Sequence, residues 1–187
     1  SVCFQPRVPD ATPPVSSPTT TFIETPLGSM QARLRGSDLV SLRFVDPPPG
    51  DLPSARGARV IAAVRDLEKG RRVIGFPADI RHLDLADLAS VRAFAATVEA
   101  PVDALVNNAG VMAVPLQRTK DGFEMQIGTN HLGHFALTGL LWPALVAQPH
   151  SRVVNVASQA HRMGRMRFDD LMGERKYSAW GAYGQSK

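Results

Sequence analysis

Cysteine occurs once, at position 3. A single thiol builds neither an intrachain disulfide nor a thiolate zinc site, so the composition fits a reducing, cytoplasmic setting. Long apolar runs are also missing: the longest, residues 137–147, is broken by Gly139 and Pro143 and falls far short of the roughly 20 residues a membrane-spanning helix needs. No basic start followed by an apolar block opens the chain, so no secretory signal is read there. The absence of an initial Met reads as a processed or partial end. Nor is there a strong excess of one charge. Twenty-one basic against 17 acidic side chains leave a net +4, too little and too dispersed for a nucleic-acid surface. Residues 1–58 balance at five of each sign. Residues 150–187 hold seven basic side chains against Asp169, Asp170 and Glu174.

What is present is enough for one substantial core: 187 residues, 44% of them hydrophobic, which excludes disorder throughout. Ten of the 15 prolines precede Ala55, nine of them clustered at 6–18 and 47–53, and these clusters read as linkers because proline donates to neither ladder nor helix. Between them, partly alternating apolar patterns at 20–24, 30–35 and 39–45, separated by turn signals, predict a small β-meander. The expected division is therefore a proline-rich β segment over 1–54 and a main domain over 55–187.

From Arg59 onward, short apolar runs alternate with helical periodicities, the pattern of βαβ units and a doubly wound α/β sheet. Strands are predicted at 59–64, weakly at 73–79, at 104–107, and at 152–157 as another buried strand. Helices are predicted at 66–72, at 87–98 behind Asp87 as N-cap with Pro101 as the stop, over the long stretch 121–145, and from Ala182 to the end.

Polar residues stand at the carboxyl ends of these strands, where ligands bind in such sheets. Asn107, Asn108, Ala109 and Gly110 follow one strand, and taken alone read equally as a binding edge or an ordinary turn. Arg65 follows another, able to pair with a phosphate or simply to be solvated. Asp84 follows 81–83, able to accept from an adenine amine or to form a helix-entry turn. Ser158 stands just past 152–157. Tyr183 and Lys187 are four apart and share one helix face, and an ammonium near a phenol favours its ionised form, which suits acid or base work. Asn130 lies inside the long helix, where asparagine is a poor former. His131 and His134 share that helix without a third ligand, which favours packing or surface roles over a metal.

The ordered combination NNAG (107–110), NHLGHF (130–135), VVNVAS (153–158) and YGQSK (183–187) resembles the short-chain dehydrogenase/reductase family, from about residue 55 to 187. Within it, AVRD (63–66), HLDLADLASVRAF (82–94) and FDDL (168–171) are most similar to the retinol-dehydrogenase-like branch. The resemblance implies a Rossmann-like fold and an oxidoreductase interconverting an alcohol and a carbonyl by hydride transfer. It implies Tyr183 as proton donor or acceptor, Lys187 as its support and as a ligand of the nicotinamide ribose, Ser158 as a hydrogen-bond partner of the substrate oxygen, and Asn130 as holder of a water linking Lys187 to solvent. For the cofactor it implies Arg65, Asp84, Leu85, Asn107, Ala109 and Gly110, with Tyr183 and Lys187. Arg65 at its strand end favours NADP, NAD being the other candidate, because Asp66 is one position late for a ribose hydroxyl. The branch implies an apolar substrate, and the family a homo-oligomer through the long helix. The Arg-rich segment 161–177 reads as a solvated lid.

The family opens on a strand and a TGxxxGIG turn whose helix N-terminus meets the cofactor pyrophosphate. No such spacing of glycines occurs here. The doubly wound sheet is therefore expected to be incomplete, with residues 39–45 as the candidate to fill its centre. The sequence at 22–46 resembles instead the opening hairpin of methylated-DNA–protein cysteine methyltransferases, whose reactive PCHRV-type motif is absent, so no alkyl transfer follows. Together the two resemblances imply a hybrid chain with two readings: an impaired NADP-dependent enzyme, or a noncatalytic protein acting through association.

Overall fold

The computed structural model describes residues 2–5, 19–25, 28–35, 38–45, 59–74, 78–99 and 101–187. The proline clusters at 6–18 and 47–53 lie outside them. The expected meander forms: β2 (Thr19–Thr25), β3 (Gly28–Arg35) and β4 (Asp38–Val45) pair antiparallel in that order.

A second sheet has five strands: β1 (Val2–Gln5), β5 (Arg59–Val64), β6 (Asp79–His82), β7 (Ala104–Asn107) and β8 (Arg152–Asn155), ordered β6-β5-β1-β7-β8. β5 pairs parallel with β6, and β7 parallel with β8. The central position falls to β1 and not to residues 39–45, which stay in the meander. β1 runs antiparallel to both neighbours, Val2 lying opposite Ala62 and Val106, and Phe4 opposite Val60 and Ala104. The sheet is thus mixed, and the inner edges of β5 and β7 find partners for backbone groups that burial would otherwise leave unpaired.

Helices cover this sheet where their apolar stripes dictate. Asp66 caps α1 (Leu67–Val73) by accepting from Lys69 N at 2.9 Å. Asp87 caps α2 (Leu88–Ala95), whose Val91 and Phe94 enter the core. That helix ends at Ala95, short of Pro101. The expected strand over 73–79 is corrected: Val73 closes α1, and pairing with β5 starts only at Asp79, opposite Ile61.

The helix expected over 121–145 is broken into pieces. It starts at α3 (Met125–Ile127), capped by the Glu124 carboxylate, widens into a π turn over Gly128–Leu132, and continues as α4 (Gly133–Leu140) and α5 (Trp142–Val146). The π turn is placed where the Asn130 amide bonds the backbone of another segment instead of facing solvent. Leu137, Leu141 and Leu145 recur at four-residue spacing and join Ile61, Leu83, Leu105, Val91 and Phe94 in one core. Each such burial stabilises by about 1.5–3 kcal/mol. α4 meets the turn after β6 closely because Gly133 has no side chain: a Cβ there would lie 2.4 Å from the Leu85 carbonyl oxygen.

The strand expected as buried over 152–157 ends at Asn155 and is mostly exposed, with Val153 37% accessible. Its apolar run looks central, yet among the described residues β8 pairs with β7 alone and forms an edge. A 3₁₀ turn, Gln159–Arg162, and α6 (Ala179–Ser186) complete the chain. No described helix is long and apolar enough to cross a membrane.

Candidate active site

The site assembles along the carboxyl edge of β5, β6, β7 and β8, to which parallel pairing brings four strand exits together. At the β7 exit, Asn107 is 3% exposed and its Nδ2 donates to Asn155 Oδ1 at 2.8 Å and to Thr138 Oγ1 at 3.1 Å. Its amide therefore stitches β7 to β8 and to α4. Asn108 Oδ1 is buried without a hydrogen-bond partner, and Ala109 packs against the core. Gly110 is exposed on one side and tightly packed on the other: a Cβ there would come within 2.9 Å of Asn130 Oδ1 and 3.4 Å of Lys187 Nζ.

Asn130 is buried and its amide is fully used. Oδ1 accepts from Val111 N, while Nδ2 donates to Val111 O and to Ser186 Oγ, all at 2.8 Å. Ser186 Oγ in turn donates to Tyr183 O at 2.8 Å. One chain of bonds thus runs from the loop after NNAG, through the π turn, to α6. On α6, Tyr183 is 7% exposed and meets the Trp180 ring edge to face, centroids 6.0 Å apart. Lys187 Nζ donates to Val156 O at 3.0 Å, just past β8. It is half-buried, and loss of hydration pulls its pKa below the usual lysine value.

Ser158 caps the 3₁₀ turn, its Oγ accepting from Ala160 N at 3.2 Å. That turn is pressed onto α6 backbone to backbone. A Cβ at Gly164 would fall 2.3 Å from the Gly184 carbonyl, and one at Gly184 would fall 2.8 Å from Ala160 O. Gly110 therefore lies close to both Asn130 and Lys187, Tyr183 shares the helix that Lys187 closes, and Ser158 is carried to the same helix by a glycine pair.

The remaining candidates line the far part of the edge and bond none of that group. Arg65 is exposed, with no bonded partner among the described residues. Asp84 adopts the helix-entry turn, Oδ1 accepting from Ala86 N at 2.9 Å. Leu85 is buried beneath Gly133. Between these residues and Gly110 stands β1, whose reversed direction puts its carboxyl end, Gln5, at the opposite edge of the sheet. The Arg-rich segment is exposed at Arg162 and Arg165, and its far half is folded around Asp170, whose carboxylate accepts from the backbone of Glu174, Arg175 and Lys176.

Three contributors were not legible as site residues: Ser186, the Gly164–Gly184 pair and His134. The small residues Gly184 and Ser186 inside YGQSK were the available signal for the first two. His131 is exposed, but His134 is 6% exposed and its Nδ1 donates to Asn130 O at 2.9 Å. Its Nε2 is buried without a partner, and burial pushes its pKa down to about 4. Among the described residues no group of three or more His, Cys, Asp or Glu is placed to hold a metal.

Comparison with known proteins agrees with this architecture. The family model described as short chain dehydrogenase matches residues 52–169. Human retinol dehydrogenase 13 is 49% identical over 144 residues, 71% of this chain and 44% of that protein, and human retinol dehydrogenase 11 is 49% identical over 143 residues, 71% and 45%. The chain thus spans less than half the length of these relatives. An uncharacterised protein of known structure from Mycobacterium paratuberculosis is 54% identical, with TM-score 0.62 over 68% of this chain and 47% of that one. A metagenomic short-chain oxidoreductase crystallised with NADP is 28% identical, with TM-score 0.53 over 71% and 60%.

Proposed function

Since the chain belongs to the short-chain dehydrogenase family, we propose that it is an NADP-dependent oxidoreductase interconverting an alcohol and a carbonyl. The observation that carries this reading is Lys187, its Nζ fixed on Val156 O beside Gly110 and Asn130, one helical turn past Tyr183. The unpartnered Asn108 Oδ1, together with the close approach of Gly110 to Asn130 and Lys187, suits the nicotinamide ribose end of a dinucleotide. Arg65 suits a 2′-phosphate, and Asp66, occupied as the α1 cap, has its carboxylate turned to the helix instead of a ribose hydroxyl. With no glycine-rich turn in the sequence, affinity rests on these two ends.

When bound, the dinucleotide supplies the hydride. The protein's own part is proton transfer and charge stabilisation. Tyr183 gives its phenolic proton to the carbonyl oxygen, or takes one from the alcohol in reverse. Ser158, whose Oγ accepts from Ala160 N, keeps its hydroxyl proton for the same oxygen. The Lys187 ammonium stabilises negative charge on the phenolic oxygen, and Asn130, held by three bonds to Val111 and Ser186, keeps the turn beside Lys187 fixed.

Exposed Met163, Phe168 and Trp180 around α6, together with relatives named for retinol, favour an apolar alcohol or carbonyl as substrate. Phe135, Trp142 and Val146, all more than half exposed along α4 and α5, favour association with a second copy, and the single cysteine favours a cytoplasmic setting. The reversed β1 favours the competing reading of a noncatalytic associating protein. The two part on one experiment. Tyr183→Phe should abolish turnover with NADPH and an apolar aldehyde while sparing cofactor affinity. Equal turnover in that variant would defeat the catalytic reading.

A further inference from the structure

We infer that Gln126 is a positioning residue that fixes the spacing between the Asn130 turn and the Tyr183–Lys187 helix. The inference rests on the catalytic reading above and concerns a residue outside every motif used for it. Gln126 is fully buried, yet each polar atom of its side chain is bonded. Oε1 accepts from Ala113 N at 2.8 Å. Nε2 donates to Ala179 O at 2.8 Å and to the Tyr177 hydroxyl oxygen at 3.0 Å. Tyr177 then donates its own proton to Val114 O at 2.8 Å.

One amide therefore ties three segments together: the loop after NNAG, the start of the helix that carries Asn130, and the first residue of α6. Sequence distance gives this bolt its meaning. Asn130 lies four residues after Gln126, and Tyr183 lies four after Ala179. Each functional side chain stands about one helical turn downstream of the joint, so a shift at the joint is carried along both helices into the site. The third arm bears on strain: Ala113 has φ 50°, a left-handed conformation unfavourable for a residue with a Cβ, and Gln126 Oε1 holds its N–H in that geometry.

A buried amide can also act only as a bolt for folding, and two variants separate the roles. Gln126→Met keeps the volume and removes the three side-chain bonds. It should lower kcat roughly tenfold to hundredfold, the scale of ångström-level misplacement, with KM for NADPH little changed. The Asn130 side-chain amide protons, held on Val111 O and Ser186 Oγ, should exchange faster in nitrogen-resolved NMR spectra. Gln126→Glu provides a reversible version. Protonated, the carboxyl keeps an acceptor for Ala113 and a donor for Ala179. Ionised, it loses the donor and faces Glu124, which with Tyr177 is the titratable neighbour bonded to this cluster. The Glu variant should therefore recover kcat as pH falls, a step wild type lacks. Wild-type kcat together with an equally protected Asn130 amide in Gln126→Met would overturn the inference, as would a Gln126→Glu profile parallel to wild type. Should wild type and Tyr183→Phe turn over alike, the catalytic reading fails by itself, and the Asn130 amide exchange still decides the role of Gln126.

Discussion

His134 lies one turn past Asn130 and stays neutral in the fold, because burial strips the ring of hydration and its Nε2 has no partner to receive a second N–H. The unfolded chain takes up a proton on this ring below pH 6.5, whereas the folded chain does so only near 4. Unfolding therefore binds a proton in that window, and stability falls as pH falls. The full shift corresponds to about 3 kcal/mol, present above 6.5 and lost toward 4. In urea titrations, His134→Gln should lose correspondingly less stability across the window, and parallel slopes would reject the assignment. Arg65 gives a second test at this scale. Arg65→Ala should raise KM for NADPH roughly tenfold, about the worth of one charge-assisted pair, and leave KM for NADH nearly unchanged, whereas equal effects on both would remove the phosphate contact. Tyr183 and Lys187 stood out in the sequence because their chemistry shows in residue type and spacing. Gln126, Ser186 and His134 did not, since their significance lies in which backbone atoms the fold brings to them.

Elements were legible where local pattern and environment agree. β5 and β7 are continuous apolar runs and are buried, and the Asp66 and Asp87 caps set the starts of α1 and α2. The apolar run of β8 led to a buried strand because a run cannot tell a central position from an edge. The division of the 121–145 helix was hidden because it depends on Asn130 bonding Val111, a partner on another element. The contact between the Ser158 turn and α6 was hidden too, since glycine reads as flexibility until its neighbour is known. Gly164→Ala tests that contact. Its Cβ would sit 2.3 Å from the Gly184 carbonyl, so the two elements must part, with a loss of about 1–3 kcal/mol as in other overpacked contacts. Turnover should fall further than stability, because Ser158 moves relative to Tyr183. Unchanged thermal midpoint and rate would show that the close approach is unimportant.

For the whole molecule the decisive feature is the sheet centre. β1 fills it from the opposite direction, so the fold closes around a strand whose carboxyl end points away from the site edge, and the sequence carries no glycine-rich turn for a pyrophosphate. Four residues with no alternation to speak of carry no signal for this, and only the need to pair the inner edges of β5 and β7 points to it. Cys3 stands mid-strand, opposite Ile61 and Leu105, and proline there removes a central donor, at a cost of about 3 kcal/mol or more. Cys3→Pro should speed hydrogen exchange at the β5 and β7 amides and leave the meander unaffected; unchanged protection would place β1 outside the sheet. The account as a whole predicts a working catalytic corner beside a sheet so rebuilt. Its most direct test is single-turnover loss of NADPH absorbance with an apolar aldehyde, run beside NADPH-binding titrations of wild type and Tyr183→Phe. The account predicts consumption by wild type alone with comparable binding by both, and it is contradicted if wild type binds no NADPH or if the two consume it at the same rate.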